Sequence, residues 1–285
     1  MIAVEHAERG RMATVAGEIV KLPSFLRRDF LVAWSYRMMF VTDVAALALQ
    51  ALSFYFIGLM VDPGVLPTYG GSRATYMEFV AVGIALGVFI QLGLSRVAAA
   101  IRNEQLMGTL ESLLMTPTHV ATVQLGSVVY QLVYIPIRTT LFFAVVAVTF
   151  GLSFEPGGLL PALAILLLFI PFVWGLGVAS AAATLTFKRG SGGIGFGVTI
   201  LTLFSGAYFP LDLLPGWATT LAELNPVAIA IEGMRETLLG GAGWSKAGQA
   251  LLVIAPLSAL SLAAGLLAFR ASLRRERRRG TLGLY

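Results

Sequence analysis

Long apolar stretches alternate with short polar segments along the chain. Six such stretches lie at about 38–60, 76–99, 121–150, 159–187, 192–211 and 247–269. Roughly 20 mainly apolar residues are needed to cross the hydrocarbon core of a bilayer as a helix. None of the six shows the strict polar–apolar alternation of a barrel strand, so the pattern predicts six membrane-spanning helices.

Residues 23–37 have an amphipathic pattern instead. Apolar and basic side chains fall near helical spacing on opposite sides: Phe25, Phe30, Trp34 and Met38 against Arg27, Arg28 and Arg37. This pattern predicts a helix that lies in the inner membrane interface before the first span. The alternative is a charged segment that simply leads into that span. No apolar core follows the charged start of the chain, so residues 1–22 are not expected to be a cleaved signal peptide. They are predicted to be a cytoplasmic tail.

Residues 100–120, between the second and third spans, contain a short leucine-faced pattern. Leu106, Leu110, Leu113 and Leu114 share one helical face, and Glu104 and Glu111 lie elsewhere on the helix. Pro117 ends the pattern, because the residue before a proline avoids the helical region. We expect a helix at about 102–115, at the inner edge of the membrane, with a polar side available to a partner.

Residues 212–246, between the fifth and sixth spans, are too apolar for a solvated loop. Pro215, Gly216 and Pro226 interrupt them too often for a complete crossing. Two short helices at 216–224 and 227–239, dipping into the outer leaflet, fit this pattern. These outer re-entrant helices, within about 212–240, require protein cover, because lipid cannot satisfy irregular backbone.

The basic residues set the orientation. Of 20 lysines and arginines, Arg73, Arg235 and Lys246 fall in outer segments and Arg138 within a span, which leaves sixteen in inner segments. The positive-inside rule therefore predicts that both termini are cytoplasmic. The basic tail at 271–285, with its RRERRR run, is expected to attract anionic lipids at the inner surface.

Composition agrees with a membrane protein and excludes several kinds of chemistry. Hydrophobic residues make up 57% of the chain and charged residues 12%, and the mean hydropathy is +0.83. Soluble domains carry about 25% charged residues. The chain has no cysteine and two histidines, which excludes disulfides and thiolate or multi-histidine metal sites. Its basic residues flank apolar runs, so nucleic-acid binding is not expected.

The chain also lacks a convincing phosphate-binding motif. The chain contains no Gly-Lys dipeptide, so it holds no P-loop and we expect no ATPase activity from it. The glycine cluster at 190–197 opens a span with no strand before it. Close helix packing or a flexible entrance to the fifth span explains it better than nucleotide binding.

Two polar stripes within spans are candidates for a translocation path. Gly83, Gly87, Gln91 and Ser95 recur along the second span, and Thr199, Thr202, Ser205 and Gly206 along the fifth. The candidate path residues are Phe89, Gln91, Ser95, Phe196, Thr199, Thr202 and Phe204. Two readings stay open: the stripes line a path between two facing copies, or they serve ordinary packing within one subunit.

Asp43 and Arg138 are charges within predicted spans. Each costs roughly 2.5–3.5 kcal/mol near the bilayer centre and needs a partner, water or an interface. Asp43 lies near the inner end of the first span, where it can reach the interface or pair with Arg37. Arg138 lies deeper, two residues after Pro136. It either pairs with a carboxylate, lines a hydrated cavity or has a structural role.

Two motifs give the chain a family resemblance. The segment between the second and third spans has the pattern E-x-x-x-G-T-L-E-x-L-L-x-T-P, formed by Glu104, Gly108, Thr109, Leu110, Glu111, Leu113, Leu114, Thr116 and Pro117. An Asn225-Pro226 pair followed by Arg235 precedes the last span. With six spans and an interfacial helix, these motifs resemble those of ABC-2 type transporter permeases over essentially the whole chain.

The resemblance implies the transmembrane subunit of a bacterial ABC exporter in the inner membrane. Its partners would be two cytoplasmic ATPase subunits, which hold ATP and Mg, a second permease copy, and membrane lipids. Residues 102–115 would form the coupling helix that docks into each ATPase, and 23–37 the connecting helix. No cofactor is expected on this chain.

Cargo and class remain open from sequence. The phenylalanines of the expected path favour a drug or lipid, and export of a polysaccharide such as an O-antigen is the second choice. An ATPase-independent channel or a membrane-embedded enzyme is a different class. A channel would depend on the Thr199, Thr202 and Ser205 stripe. An enzyme would depend on Asp43, Glu78 and Arg138, a thin set for catalysis.

Overall fold

The structure is a computed structural model that describes residues 17, 20–106, 120–152, 154–187 and 191–279. Apart from one short hairpin, the regular elements in these residues are helices, as predicted. They are α1 (Leu22–Ser35), α2 (Arg37–Gly58), β1 (Thr68–Tyr69), β2 (Ser72–Arg73), α3 (Tyr76–Leu106), α4 (Val120–Phe150), α5 (Leu159–Phe187), α6 (Ser191–Leu203), α7 (Gly216–Glu223), α8 (Pro226–Leu238) and α9 (Gly243–Arg279).

Four helical stretches in the described residues are long and apolar enough to cross a membrane. They are Tyr76–Ala100, Val129–Phe150, Pro156–Phe187 and Gly243–Ser272. Shorter apolar helices lie at Ala48–Gly58 and Gly193–Leu203, within the predicted first and fifth spans. The chain is therefore a multi-pass membrane protein, and the count of six spans stays a prediction.

The fifth predicted span, 192–211, is too long. Helix α6 ends at Leu203, and the chain turns through residues 204–210. Gly206 has φ of +69°, a left-handed conformation that ends a helix, and Pro210 adopts an extended conformation with ψ of 141°. The apolar run continues past the end of the helix, so hydrophobicity alone did not reveal this break.

The last helix is longer than the predicted 247–269 span. Helix α9 begins at Gly243 and continues to Arg279, through the whole RRERRR run at 274–279. Arginine and glutamate favour helix nearly as well as leucine, so the helix does not end where the apolar residues end.

The N-terminal amphipathic segment is a separate helix. The expected helix at 23–37 is α1, and Tyr36, with φ of −102° and ψ of 56°, separates it from α2. Helix α1 packs against α4, where the ring of Phe25 lies over Gly126. Its location in the membrane interface stays a prediction.

Helix α5 forms the centre of the molecule, between α3 and α9. A Cβ atom at Gly175 of α5 would meet the backbone of Ser261 on α9, and one at Gly265 would meet the backbone of Gly175. On the other side, a Cβ at Gly177 would lie 2.6 Å from the carbonyl oxygen of Gly93 on α3. Small residues thus allow these helices to pack backbone to backbone, which is how helices associate in lipid.

The predicted coupling motif falls largely outside the described residues. Its members Gly108, Thr109, Leu110, Glu111, Leu114, Thr116 and Pro117 lie in the segment 107–119. Glu104 belongs to the last turn of α3, which ends at Leu106, and its side chain also lies outside the described part of the chain.

Candidate functional site

An open cleft of about 400 Å³ lies among α2, α3, α4 and α6. Its walls combine amide, hydroxyl and guanidinium groups with apolar side chains. They are formed by Gln50, Gly87, Val88, Gln91, Leu92, Arg138, Thr199, Thr202, Leu203 and Tyr208. A cleft with this lining suits a molecule that has both polar and apolar parts.

Helical spacing brings the polar groups to the cleft. Gly87 and Gln91 are one turn apart on α3 and therefore share a face. Because Gly87 has no side chain, a Cβ placed there would lie 3.7 Å from both the Thr202 methyl group and the Tyr208 hydroxyl. The glycine thus keeps α3 close to this end of α6.

The two threonines of α6 use their hydrogens within the helix. Thr199 Oγ1 donates to the carbonyl oxygen of Gly195 at 3.0 Å, and Thr202 Oγ1 donates to that of Val198 at 2.9 Å. Their hydroxyl oxygens can still accept a hydrogen bond from a ligand. The cleft therefore presents hydrogen-bond acceptors on α6 and the amide of Gln91 on α3.

Three of the seven predicted path residues share this cleft: Gln91, Thr199 and Thr202. Ser95 is exposed one turn further along α3, where its hydroxyl donates to the carbonyl oxygen of Gln91 at 2.8 Å. Phe196 is 69% exposed. A role of these residues in transport stays a prediction.

Two phenylalanines lie elsewhere. Phe89 is fully buried in the core, 6.5 Å from the ring of Phe169, because its face of α3 is turned towards α5. It does not line the cleft, and its place in a transport path stays a prediction. Phe204 follows the end of α6 and packs edge-on against Trp217 of α7 at 6.0 Å.

Arg138 borders two chambers. It lines the cleft, and it also lines a second chamber of about 290 Å³ between α2 and α4. The walls of the second chamber are otherwise almost entirely apolar. Asp43, the other predicted intramembrane charge, belongs to α2, and its side chain lies outside the described part of the structure.

Arg235 of α8 is the largest fully buried side chain among the described residues, at 2% exposure. Its Nε donates to the carbonyl oxygen of Phe79 at 3.0 Å, and its Nη2 donates to those of Gly206 at 2.9 Å and Ala207 at 3.3 Å. The guanidinium also stacks over the Phe79 ring, 3.6 Å from its centroid. Arg235 thus satisfies backbone groups that the break after α6 leaves without helical partners.

Asn225 does the same at the start of α8. Its Oδ1 accepts from the backbone N–H of Val227 at 3.0 Å, as an N-cap. Its Nδ2 donates to the carbonyl oxygens of Leu201 at 2.6 Å and Phe204 at 3.1 Å. Sequence reasoning used Asn225 and Arg235 only as family markers and missed this role. The signal was present, since a long polar side chain within an apolar segment needs buried partners.

Tyr69 of the hairpin joins the hydrogen-bond network of Asn225 and Arg235 through Glu232. Its hydroxyl donates to Glu232 Oε2 at 3.1 Å, and the same oxygen lies 3.5 Å from Nη1 of Arg235. Burial, with the nearby carboxylate of Glu232, raises the pKa of the Tyr69 phenol well above its usual range. The phenol therefore stays protonated and acts as a donor.

Comparison with known families decides the class of the protein. The profile of the ABC-2 type transporter family matches residues 21–239, from α1 to the end of α8. The chain belongs to this family. Among curated proteins none matches it significantly. Members of the ABC-2 family are membrane components that typically work with an ABC ATPase and are generally not catalytic themselves.

The match confirms an ABC transporter permease. The matched region contains the residues that line the cleft. Asn225 and Arg235, with their buried hydrogen bonds, lie near the C-terminal end of the matched region. Short helices stand at both predicted outer positions, as Gly216–Glu223 and Pro226–Leu238. Their insertion into the outer leaflet stays a prediction.

Proposed function

We propose that this permease is the transmembrane subunit of an ATP-driven exporter that moves a hydrophobic or amphipathic cargo outward across the inner membrane. The observation that supports this proposal is the open cleft among α2, α3, α4 and α6, with its mixed polar and apolar lining. Separate cytoplasmic ATPase subunits would bind and hydrolyse ATP with Mg.

A second permease copy would complete the path. One subunit provides only an open cleft, and apolar side chains beside it are exposed, among them Leu49 on α2 and Ile200 and Leu203 on α6. Facing clefts of two copies would enclose a path between them. The same apolar side chains would then face the other copy or lipid instead of water.

Coupling to the ATPase would use residues 102–115. The first residues of this segment, 102–106, belong to the end of α3, and α3 lines the cleft with Gly87 and Gln91. ATP binding would draw the ATPases together and shift the coupling segment. The shift can open the path outward only if the ATPases make contacts that differ in strength between the two states.

The lining of the cleft favours a drug or lipid over a polysaccharide. Sugar-binding paths use exposed aromatic faces with many polar partners. Among the described residues that line the cleft, Tyr208 is the only aromatic one. Polymer export remains the second choice.

Charge reversal in the coupling segment tests the proposal. Glu111→Arg should abolish co-purification of the permease with its ABC ATPase and lower cargo-stimulated ATP hydrolysis, because the reversed charge would meet the docking cleft of the ATPase. Glu223→Arg is the matched control, since Glu223 is an exposed glutamate on α7, outside the coupling segment. Unchanged association and hydrolysis in Glu111→Arg would show that the docking assignment is wrong. The ATPase is to be sought in a neighbouring reading frame with a Walker A motif.

A further inference from the structure

Two chambers of opposite polarity meet at one arginine. The chamber between α2 and α4, here called the apolar chamber, is lined by Ala48, Leu49, Ala51, Leu52, Arg138, Leu141, Phe142, Val145, Val146, Thr149 and Phe150. The cleft lies on the other side of Arg138. Together they form one surface that is apolar at one end, polar at the other and positively charged at the junction.

We propose that this surface binds a phospholipid with an anionic headgroup, which enters sideways from the bilayer between α2 and α4. One acyl chain occupies the apolar chamber, Arg138 binds the phosphate, and the rest of the headgroup lies in the cleft. This site rests on the proposed function, since it would load an amphipathic cargo into the transport path.

The apolar chamber fits an acyl chain from the bilayer. Its volume is about 290 Å³, and its lining has almost no polar surface. Leu49 and Leu52 on α2 are 65% and 42% exposed, and Leu141 and Val145 on α4 are 55% and 40% exposed. The chamber therefore opens at the surface between the two helices, where a spanning protein meets lipid tails.

The charge at the junction selects an anionic headgroup. Among the described residues that line the two chambers, Arg138 is the only charged one, and its charge is opposite to that of a phosphate. A guanidinium can donate two parallel hydrogen bonds to phosphate oxygens. An ionisable side chain at membrane depth commonly marks a substrate path.

The cleft supplies partners for the polar part of the headgroup. The amides of Gln50 and Gln91 both donate and accept hydrogen bonds, and the oxygens of Thr199 and Thr202 accept them. These groups suit hydroxyls such as those of a glycerol headgroup. An occupant with an apolar tail and a hydroxylated phosphate headgroup therefore satisfies both chambers at once.

Lipid binding to the purified full-length permease tests the site. Phosphatidylglycerol, phosphatidylcholine and diacylglycerol would each be titrated into the protein in mild detergent, with Kd measured by native mass spectrometry. Arg138→Gln should weaken phosphatidylglycerol binding roughly tenfold or more, because a hydrogen-bonded charge pair is lost. It should leave the already weak diacylglycerol binding unchanged. Arg138→Lys should restore part of the affinity.

A second variant tests the apolar chamber without touching the charge. Val145→Trp should fill the chamber and weaken the binding of all three lipids. Leu160→Trp is its matched control, because Leu160 on α5 is 69% exposed and lines neither chamber. Arg73→Gln, which removes an exposed charge in β2, is the control for Arg138→Gln. A monodisperse elution profile and an unchanged melting point would establish that each variant is folded.

Two results would overturn the lipid site. One is equal phosphatidylglycerol affinity in Arg138→Gln and the parent chain. The other is a Val145→Trp variant that keeps its lipid affinity but loses a permease dimer, which would make the chamber an interface between copies. The binding assay needs no ATPase. Its failure therefore leaves the exporter proposal standing, whereas failure of the Glu111→Arg test leaves the lipid site standing.

Discussion

At the scale of single residues, two buried polar side chains make the break after α6 possible. Asn225 and Arg235 together donate to carbonyl oxygens of four residues between 201 and 207, as well as to that of Phe79. A backbone carbonyl buried without a partner costs about 1–3 kcal/mol. The two side chains therefore stabilise an irregular segment that lipid alone could not accommodate.

Removing the guanidinium of Arg235 should be costly. Arg235→Leu leaves the carbonyl oxygens of Gly206 and Ala207 without that donor, so the free energy of unfolding should fall by several kcal/mol, at about 1–3 kcal/mol for each group. The midpoint of thermal unfolding, followed by tryptophan fluorescence in detergent, measures this. Arg73→Leu removes an exposed arginine from β2 and should leave the midpoint within error. Equal midpoints for the two variants would show that the network does not stabilise the fold.

Two substitutions at Asn225 separate the capping role of its side chain from its role as a donor to the carbonyl oxygens of Leu201 and Phe204. Asn225→Asp keeps the acceptor that caps α8 but loses both donors, whereas Asn225→Ala loses all three hydrogen bonds. Aspartate and asparagine are nearly equal as N-caps, so a pure cap would tolerate aspartate. We expect Asn225→Asp to lower the unfolding midpoint at least as much as Asn225→Ala, because a carboxylate would face two carbonyl oxygens. If Asn225→Asp unfolds at nearly the same temperature as the parent, Asn225 acts only as the N-cap of α8.

At the scale of elements, glycines decide which helices can approach. The α5–α9 contact depends on Gly175 and Gly265, where any side chain would meet backbone of the other helix. Helix packing in a bilayer gains no hydrophobic driving force, so close van der Waals contact of this kind carries much of the stability. The central position of α5 follows from two such contacts, one with α9 and one with α3.

A pair of glycines on α9 tests this contact. Gly265→Leu should separate α5 from α9 and destabilise the protein by at least the 1–3 kcal/mol or so that is typical of overpacking. Gly248→Leu is the control on the same helix, because nothing lies within 4 Å of a Cβ placed there. Expression level and unfolding midpoint in detergent would report both. Similar losses at the two positions would mean that the close α5–α9 contact does not explain the effect, since leucine favours helix more than glycine does.

At the scale of the whole molecule, the proposed mechanism requires one orientation. The coupling segment must lie on the ATPase side, with α9 ending on that side and the β1–β2 hairpin on the opposite side. The hairpin and the C-terminal part of α9 each contain an exposed residue among those described: Ser72 in β2 and Arg274 in α9. The chain has no cysteine, so a single introduced cysteine can be labelled without background.

Cysteine labelling in cells tests the orientation. A membrane-impermeant maleimide should label Ser72→Cys in cells whose outer membrane alone is permeabilised. Arg274→Cys should react only after the inner membrane is also opened. Both variants should react fully in detergent, which controls for thiol reactivity. The reverse pattern would place residues 102–115 outside and remove any contact with a cytoplasmic ATPase.

Several helices could be predicted from sequence, because the residues that mark their ends lie next to them in the chain. The two short helices expected at 216–224 and 227–239 are observed as Gly216–Glu223 and Pro226–Leu238. The helix expected at 23–37 is Leu22–Ser35. Proline or glycine marks the ends of the two short helices and the start of the first helix through backbone restrictions that do not depend on the rest of the fold.

Part of the cleft could also be predicted. Gln91, Thr199 and Thr202 were grouped from polar stripes on two spans, and they do line one cleft. Phe89 is grouped with them as part of the aromatic lining expected for the path. Which way its side of α3 faces depends on α5, and only the packed structure shows that it is buried against Phe169.

Membrane insertion, helical structure and family membership can all be inferred from the amino-acid sequence alone. These properties follow from apolar runs and from short motifs, which need no information about neighbouring helices. The end of α6, the burial of Arg235 and the position of Arg138 between two chambers become visible only in the packed fold. These features depend on contacts between residues far apart in the chain, which no local pattern contains.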